Sequence, residues 1–201
     1  MKNIETLRIV PETINPLIVL WVNGEYRCVE EPVHQEESVG GVTFGFIKEY
    51  RSVGIDWIQI PIVNREEEMK LVKLFVFYEP KVYGKDHFAY VSPKHHSIWH
   101  YYGKGWSLMN GHVLKSYAVT PSIQPISIQL NKKIHSYLQK GKISYRPCGK
   151  GFVMGMMMFE FTLDPFAETG ANIWMVHGSD DEEVLKMHYA LKNRLAFPSK
   201  K

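Results

Sequence analysis

The middle third of this chain, residues 87–159, contains no Asp and no Glu. Nine Lys and Arg fall in that window, whereas the preceding residues carry 14 acids against 10 cations and the following residues 7 against 5. The absence argues against acid-based catalysis and against carboxylate metal sites within the segment itself. It also makes the segment strongly cationic in a chain whose net charge is only +3.

Cysteine and long apolar runs are also scarce. The two cysteines, Cys28 and Cys148, are too few for a disulfide framework, so we expect two thiols in a reducing compartment unless they meet in space. The longest apolar run, residues 16–22, is far shorter than the ~20 residues of a membrane-spanning helix. The charged N-terminal residues do not resemble a signal peptide. We therefore expect a cytoplasmic protein, or one assembled into a virion there.

Sequence signatures of several enzyme classes are missing. The chain has no P-loop, no G-x-G-x-x-G, no G-x-S-x-G, no H-E-x-x-H and no C-x-x-C. We therefore expect no cofactor, and the prediction leans away from an enzyme.

What is present predicts a mainly β fold, α+β at most, over one domain of residues 1–201. Short runs rich in Val, Ile and aromatic residues are separated by Gly and Pro, which is typical of an antiparallel β-sandwich or a distorted barrel. Two Asn-Gly pairs, at 23–24 and 110–111, predict two-residue hairpin turns. Gly155, inside a strand-like run, predicts a bulge. The other predicted strands are 42–50, 55–63, 71–78, 88–91, 97–102, 123–130, 152–163 and 171–176.

Two helices are predicted. A C-terminal amphipathic helix over 180–195 begins at a capping box of Ser179 and Glu182. A weaker helix is predicted over 132–139, ending before Gly141. The apolar stripe of the C-terminal helix consists of Val184, Met187, Leu191 and Leu195.

Cations and aromatic residues interleave in the acid-free segment, a pattern that favours an anionic partner. We expect a non-enzymatic binding or assembly protein whose partner is nucleic acid or an acidic protein surface. The net charge of +3 argues against strong, delocalised binding to nucleic acid. The alternative is that the fold pairs these cations with carboxylates of the flanks. The predicted binding residues are Lys104, Trp106, Lys132, Lys133, Lys140, Lys142, Arg146 and Lys150.

Two further functions remain open. Lys94, His95 and His96 supply the groups of a metal-independent phosphoester hydrolase, with two histidines as acid and base and a lysine as stabiliser. The spacing of His96 and His100 suits zinc on a helix, but on the predicted strand the two lie ~13 Å apart, so we expect no metal. The third possibility is a structural subunit of a larger particle, for instance a viral one, or a homo-oligomer.

Overall fold

The computed structural model describes residues 16–29, 36–45, 48–52, 54–79, 86–114, 116, 118–127 and 130–196. The strands are, in chain order, β1 (Leu17–Val22), β2 (Glu25–Val29), β3 (Glu37–Val39), β4 (Val42–Phe44), β5 (Lys48–Ser52), β6 (Ile55–Asn64), β7 (Lys70–Tyr78), β8 (Phe88–Ser92), β9 (Ser97–Tyr101), β10 (Trp106–Val113), β11 (Ala118–Pro125), β12 (Cys148–Lys150), β13 (Val153–Leu163) and β14 (Glu168–Gly178). The helices are α1 (Leu130–Lys140) and α2 (Asp181–Ala196).

The strands form two antiparallel sheets. Sheet A has the order β11-β13-β7-β1-β2, and sheet B has the order β12-β8-β9-β10-β14-β6-β4-β3, with β5 also paired to β6. The predicted mainly β fold with a C-terminal helix is therefore confirmed. In the described part of the chain the sheets stay separate, so the fold is the sandwich and not the barrel.

The hydrophobic core lies between the two sheets. Leu74 and Phe159 of sheet A pack with Ile60 and Ile98 of sheet B, and all four are fully buried. Because side chains alternate along a strand, the same strands also present an apolar outer face. Helix α1 covers the outer face of sheet A, and α2 covers part of the outer face of sheet B.

The first predicted hairpin is confirmed, together with its register. Asn23 and Gly24 form the turn at φ values of 49° and 107°, which these two residues tolerate best. Trp21 pairs with Tyr26 as predicted. Cys28 of β2 and Cys148 of β12 lie on different sheets, and no disulfide joins them.

The second predicted hairpin is wrong. Asn110 and Gly111 lie inside β10, which pairs with β14 over its whole length. A Cβ at position 111 would lie 2.6 Å from Ile173 and 2.7 Å from Phe159, so Gly111 lets the two sheets approach. Asn110 donates from its amide to the carbonyl of His95, 3.1 Å away.

Three other strand predictions need correction. In place of the predicted strand 42–50 there are two strands, β4 and β5, which both pair with β6. Their registers on β6 differ by one residue. The change of register lies at Pro61, which has no amide hydrogen to donate to a neighbouring strand. The predicted strand 123–130 starts earlier and ends at Pro125. Gly155 causes no bulge, because the ladder to β11 runs through it without a shift and the ladder to β7 begins at it in the register that the rest of β13 keeps.

Both predicted helices are confirmed, and the cap of α2 differs by one residue. The Asp180 carboxylate accepts the amide of Glu183 at 2.8 Å, and the Glu183 carboxylate accepts the amide of Ser179 at 2.9 Å. Helix α1 covers the predicted 132–139 and ends before Gly141, at φ +57°. Among the described residues, neither helix is long and apolar enough to cross a membrane.

Candidate functional site

Helix α1 packs its apolar side on the outer face of sheet A. Leu130, Ile134 and Leu138 recur at a spacing of four residues and contact buried side chains of the sheet. These side chains are Val19, Trp21, Phe75, Phe77, Met154, Met156 and Met158. The methionine run of β13 is therefore core, and the opposite side of α1 is left to solvent.

The solvent side of α1 carries three lysines, Lys132, Lys133 and Lys140, all exposed. The first turn of α1 contains no acidic residue. A helix N-terminus carries partial positive charge, so a cation there typically costs about 0.3–1 kcal/mol. Lys132 and Lys133 therefore destabilise α1, the helix that carries them. A contribution to helix stability does not explain why cations occupy these two positions.

After α1 the chain runs from the outer face of sheet A to the β11 edge, and buried polar groups hold it along the way. Lys73 donates from Nζ to the carbonyl of Gly141 at 2.9 Å. Ser122, on the edge strand β11, donates to the carbonyl of Ser144 at 2.8 Å and accepts the amide of Arg146 at 3.1 Å. The segment then enters β12, which pairs with β8.

Six of the eight predicted binding residues lie along this path, which we call the basic belt. The basic belt consists of Lys132, Lys133, Lys140, Lys142, Arg146 and Lys150, all of them exposed.

Among the side chains that the structure describes, which leave out those of residues 48–52, no carboxylate oxygen lies within 4.0 Å of a side-chain nitrogen of the belt. The carboxylates that do form ion pairs bind other cations, as in Arg27–Glu37 at 3.0 Å and Lys73–Glu160 at 2.9 Å. Among these residues, the fold therefore does not neutralise the belt with acids of the flanks.

A row of side chains crosses four strands on the outer face of sheet B. Lys150 pairs with Phe88, Phe88 with Tyr101, and Tyr101 with Trp106. Directly paired residues point to the same face of a sheet. Tyr90 lies on this face beside Phe88, with ring centroids 5.9 Å apart and planes 25° apart. We call Phe88, Tyr90, Tyr101 and Trp106 the aromatic face.

The aromatic face is only partly covered. Helix α2 lies over β10 and β14, and this placement leaves Phe88 38% exposed and the other three rings half-buried. Tyr101 and Trp106 are in contact, with ring centroids 4.8 Å apart. Lys104, the remaining predicted binding residue, is exposed in the turn between β9 and β10, next to Trp106.

Charges of opposite sign border the aromatic face. Lys150 and Lys104 lie on two of its borders, whereas the first turn of α2 carries Asp181, Glu182 and Glu183. Burial raises the pKa of Tyr90, and the nearby charge of Asp181 raises it further. An anion on this face is therefore attracted towards Lys150 and Lys104 and repelled by the first turn of α2.

The predicted catalytic candidates Lys94, His95 and His96 all lie in the turn between β8 and β9. His95 Nδ1 and the Tyr189 hydroxyl form a hydrogen bond of 3.0 Å. Burial lowers the pKa of His95, and the charges of Lys94 and Lys192 lower it further. Lys94 and His96 are exposed. Their role in hydrolysis stays a prediction, and no group of three metal-ligating residues is found in the described part of the chain.

Sequence reasoning missed a polar cluster between the sheets. On the inner face of sheet B, His100 pairs with Ser107 and Ser107 with His177. Ser107 Oγ lies 2.7 Å from His177 Nδ1, and His177 Nε2 lies 3.3 Å from the carboxylate of Asp56. The connectivity is that of a serine hydrolase triad, but Ser107 is only 1% exposed. A substrate therefore cannot reach Ser107 in this conformation, and we interpret the cluster as a structural network.

The second half of this network fixes two histidine tautomers. The carbonyl of Gly151 can only accept, so His87 donates from Nδ1 at 2.6 Å and accepts at Nε2 from His100 Nδ1 at 3.0 Å. His100 Nε2 is then a buried acceptor facing Gly155, at which a Cβ would lie 3.1 Å away. Burial lowers the pKa of both histidines, so both stay neutral near pH 7.

A shallow depression of about 490 Å³ lies elsewhere, between the β1–β2 and β3–β4 turns. Its one cation, Arg27, is paired with Glu37. Neither the basic belt nor the aromatic face contributes to it.

Comparison with known proteins assigns no family: no protein-family model matches the sequence, and no curated protein matches it.

Proposed function

We propose that this is a non-enzymatic binding protein whose basic belt holds an anionic polymer, with nucleic acid as the partner. The observation that carries the proposal is that six exposed cations follow one another along α1 and the segment to β12, without a carboxylate partner among the described residues. Phosphates of a polymer are the counterions such a surface accommodates without sequence specificity.

The length of the basic belt favours a polymer over a single phosphate. Helix α1 has 11 residues, which corresponds to about 16 Å of helix. The eleven residues from Lys140 to Lys150 are joined by ten Cα–Cα steps, which span at most about 35 Å when extended. Phosphates spaced along a strand can therefore meet several of the cations at once, while an isolated phosphate meets one or two.

Three other predictions from the sequence remain untested. They are a hydrolase built on Lys94, His95 and His96, a structural subunit or homo-oligomer, and a cytoplasmic or virion location.

Binding to nucleic acid is expected to be moderate, because the net charge of the whole chain is only +3. It is expected to depend strongly on salt, because contacts between cations and phosphates release counterions. If the basic belt contacts most of the phosphates, the plot of log K against log salt concentration for a single strand has a slope of about −3 to −4. Fluorescence anisotropy with labelled single- and double-stranded oligonucleotides, titrated with salt from ~50 mM upward, measures this slope. If neither the single-stranded nor the double-stranded probe binds at ~50 mM salt, the proposal is wrong.

A further inference from the structure

We infer that the partner is a single-stranded nucleic acid whose bases stack on the aromatic face while its phosphates follow the basic belt. This inference rests on the function proposed above and adds the strandedness of the partner. It assigns a role to the aromatic face, which binding of a polyanion alone does not need.

The two surfaces are continuous, because Lys150 belongs to the basic belt and also begins the row of the aromatic face. In that row Lys150 pairs with Phe88, and Tyr101 and Trp106 follow on the next two strands. Neighbouring strands lie about 4.8 Å apart, so the three rings lie roughly 5, 10 and 14 Å from the β12 edge. A phosphate held at Lys150 therefore leaves its base within reach of the first rings.

The aromatic face suits unpaired bases. Bases of a single strand are free to turn out and stack on an aromatic ring, whereas those of a duplex are stacked on one another inside the helix. Phe88 is 38% exposed, and Tyr90 and Tyr101 are half-buried, so each ring is held by the sheet yet open on one side. Stacking on such rings is tolerant of sequence, as is phosphate binding by lysine.

The charges around the aromatic face orient the strand. Lys150 attracts phosphates to the β12 side, and Asp181, whose charge raises the pKa of Tyr90, repels them from the α2 side. The backbone is therefore expected to pass Lys150 at β12, with its bases over the aromatic rings, and Lys104 offers a second cation beside Trp106. Removing the repulsion with Asp181→Asn is expected to tighten binding severalfold.

Three probes of equal length test the inference: an oligothymidine of 12 nucleotides, an abasic strand with the same phosphates, and a duplex of 12 base pairs. Oligothymidine is expected to bind at least tenfold more tightly than the abasic strand and more tightly than the duplex. Equal affinity for oligothymidine and the abasic strand, or preference for the duplex, overturns the inference.

Phe88→Ala, with Phe166→Ala as its matched control, assigns the effect to the aromatic face. Phe166 is 64% exposed in the turn between β13 and β14, at the far end of β14 from the partner of Trp106. Phe88→Ala is expected to weaken oligothymidine binding about fivefold to a hundredfold and to leave the abasic strand unchanged, while Phe166→Ala changes neither. Equal effects of the two variants contradict the assignment.

A second measurement covers the case in which Phe88→Ala fails to fold. Tryptophan fluorescence of the unaltered protein is expected to fall when oligothymidine binds but not when the abasic strand binds, and Trp106→Phe is expected to remove most of the fall. An unchanged signal with bound oligothymidine counts against stacking.

Different results would contradict the proposed function and the inference about single strands. If none of the three probes binds at ~50 mM salt, the proposed function itself is wrong. If all three bind equally and binding falls steeply with salt, the belt binds polyanions and only the inference about single strands is wrong.

Discussion

Replacing Lys132, Lys133 and Lys142 with Glu is expected to weaken binding of a single-stranded oligonucleotide at ~50 mM salt at least about a hundredfold. Each phosphate contact to a single strand releases about 0.7 counterion, which at that salt concentration corresponds to about 1.2 kcal/mol, or roughly eightfold in affinity. Three lost contacts multiply to several hundredfold, and three introduced carboxylates add repulsion. Anisotropy titration of the variant and the unaltered protein measures the loss.

Loss of folding does not explain this expected result. Acidic residues are favourable in the first turn of a helix, so Lys132→Glu and Lys133→Glu are expected to leave the melting temperature of the protein unchanged or higher. The matched control replaces three exposed cations of α2, with the same change in net charge; they are Lys186, Lys192 and Arg194. The control is expected to lose only a few-fold in affinity. Equal losses in the two variants would show that net charge, and not the belt, governs binding.

Acidification from pH 6.5 to 4 is expected to destabilise the fold through His188. This histidine is 1% exposed on the inner side of α2 and accepts the indole N–H of Trp174 at Nδ1, 3.1 Å away. Burial, followed by the charges of Lys192 and His95, lowers the pKa of His188 to about 4.

The sign of the pH effect follows from the lowered pKa of His188. An unfolded chain protonates this histidine near pH 6.5, while the folded protein resists protonation until about pH 4. The stabilisation is therefore complete above pH 6.5 and is lost as the pH falls towards 4, by on the order of 3 kcal/mol. The lowered pKa values of His87 and His100 act in the same direction. Urea unfolding at several pH values measures the loss.

His188→Gln separates this histidine from the others. The glutamine amide oxygen can still accept from Trp174 but does not titrate, so the variant is expected to lose about 2–3 kcal/mol less than the unaltered protein between pH 6.5 and 4. His112→Gln, at an exposed histidine, is the control and is expected to change nothing. Parallel pH profiles for His188→Gln and the unaltered protein would contradict the argument.

The local parts of the fold were predictable because their signals are local. Asn23-Gly24 gave the first hairpin and its register, since both residues accept positive φ in a two-residue turn. Asn110-Gly111 is the same residue pair, yet strand β10 continues through it. A Cβ on Gly111 would lie 2.7 Å from Phe159 of the opposite sheet, and contact across the sandwich is not visible in a local pattern.

In the candidate site, too, some features were predictable from the sequence and others depend on how distant strands pair. The absence of acids from 87–159 drew attention to its cations, and α1 was predicted over 132–139 with Gly141 after its end. The alignment of Lys150, Phe88 and Trp106 depends on the order of four strands. The meeting of Asp56, Ser107 and His177 depends on the pairing of β10 and β14 and on the packing of β6 beside them. Neither set has a spacing in the sequence that would predict its convergence.

The most direct test of the central claim is an amine-labelling footprint of the protein with and without a single-stranded oligonucleotide at low salt. Each lysine reacts with an acetylating reagent, and mass spectrometry reports its protection. We expect severalfold protection of the belt lysines and unchanged reactivity of Lys186 and Lys192, which are exposed on α2. Uniform protection, or protection of Lys186 and Lys192 with the belt still reactive, would contradict the central claim. The belt lysines to be compared are Lys132, Lys133, Lys140, Lys142 and Lys150.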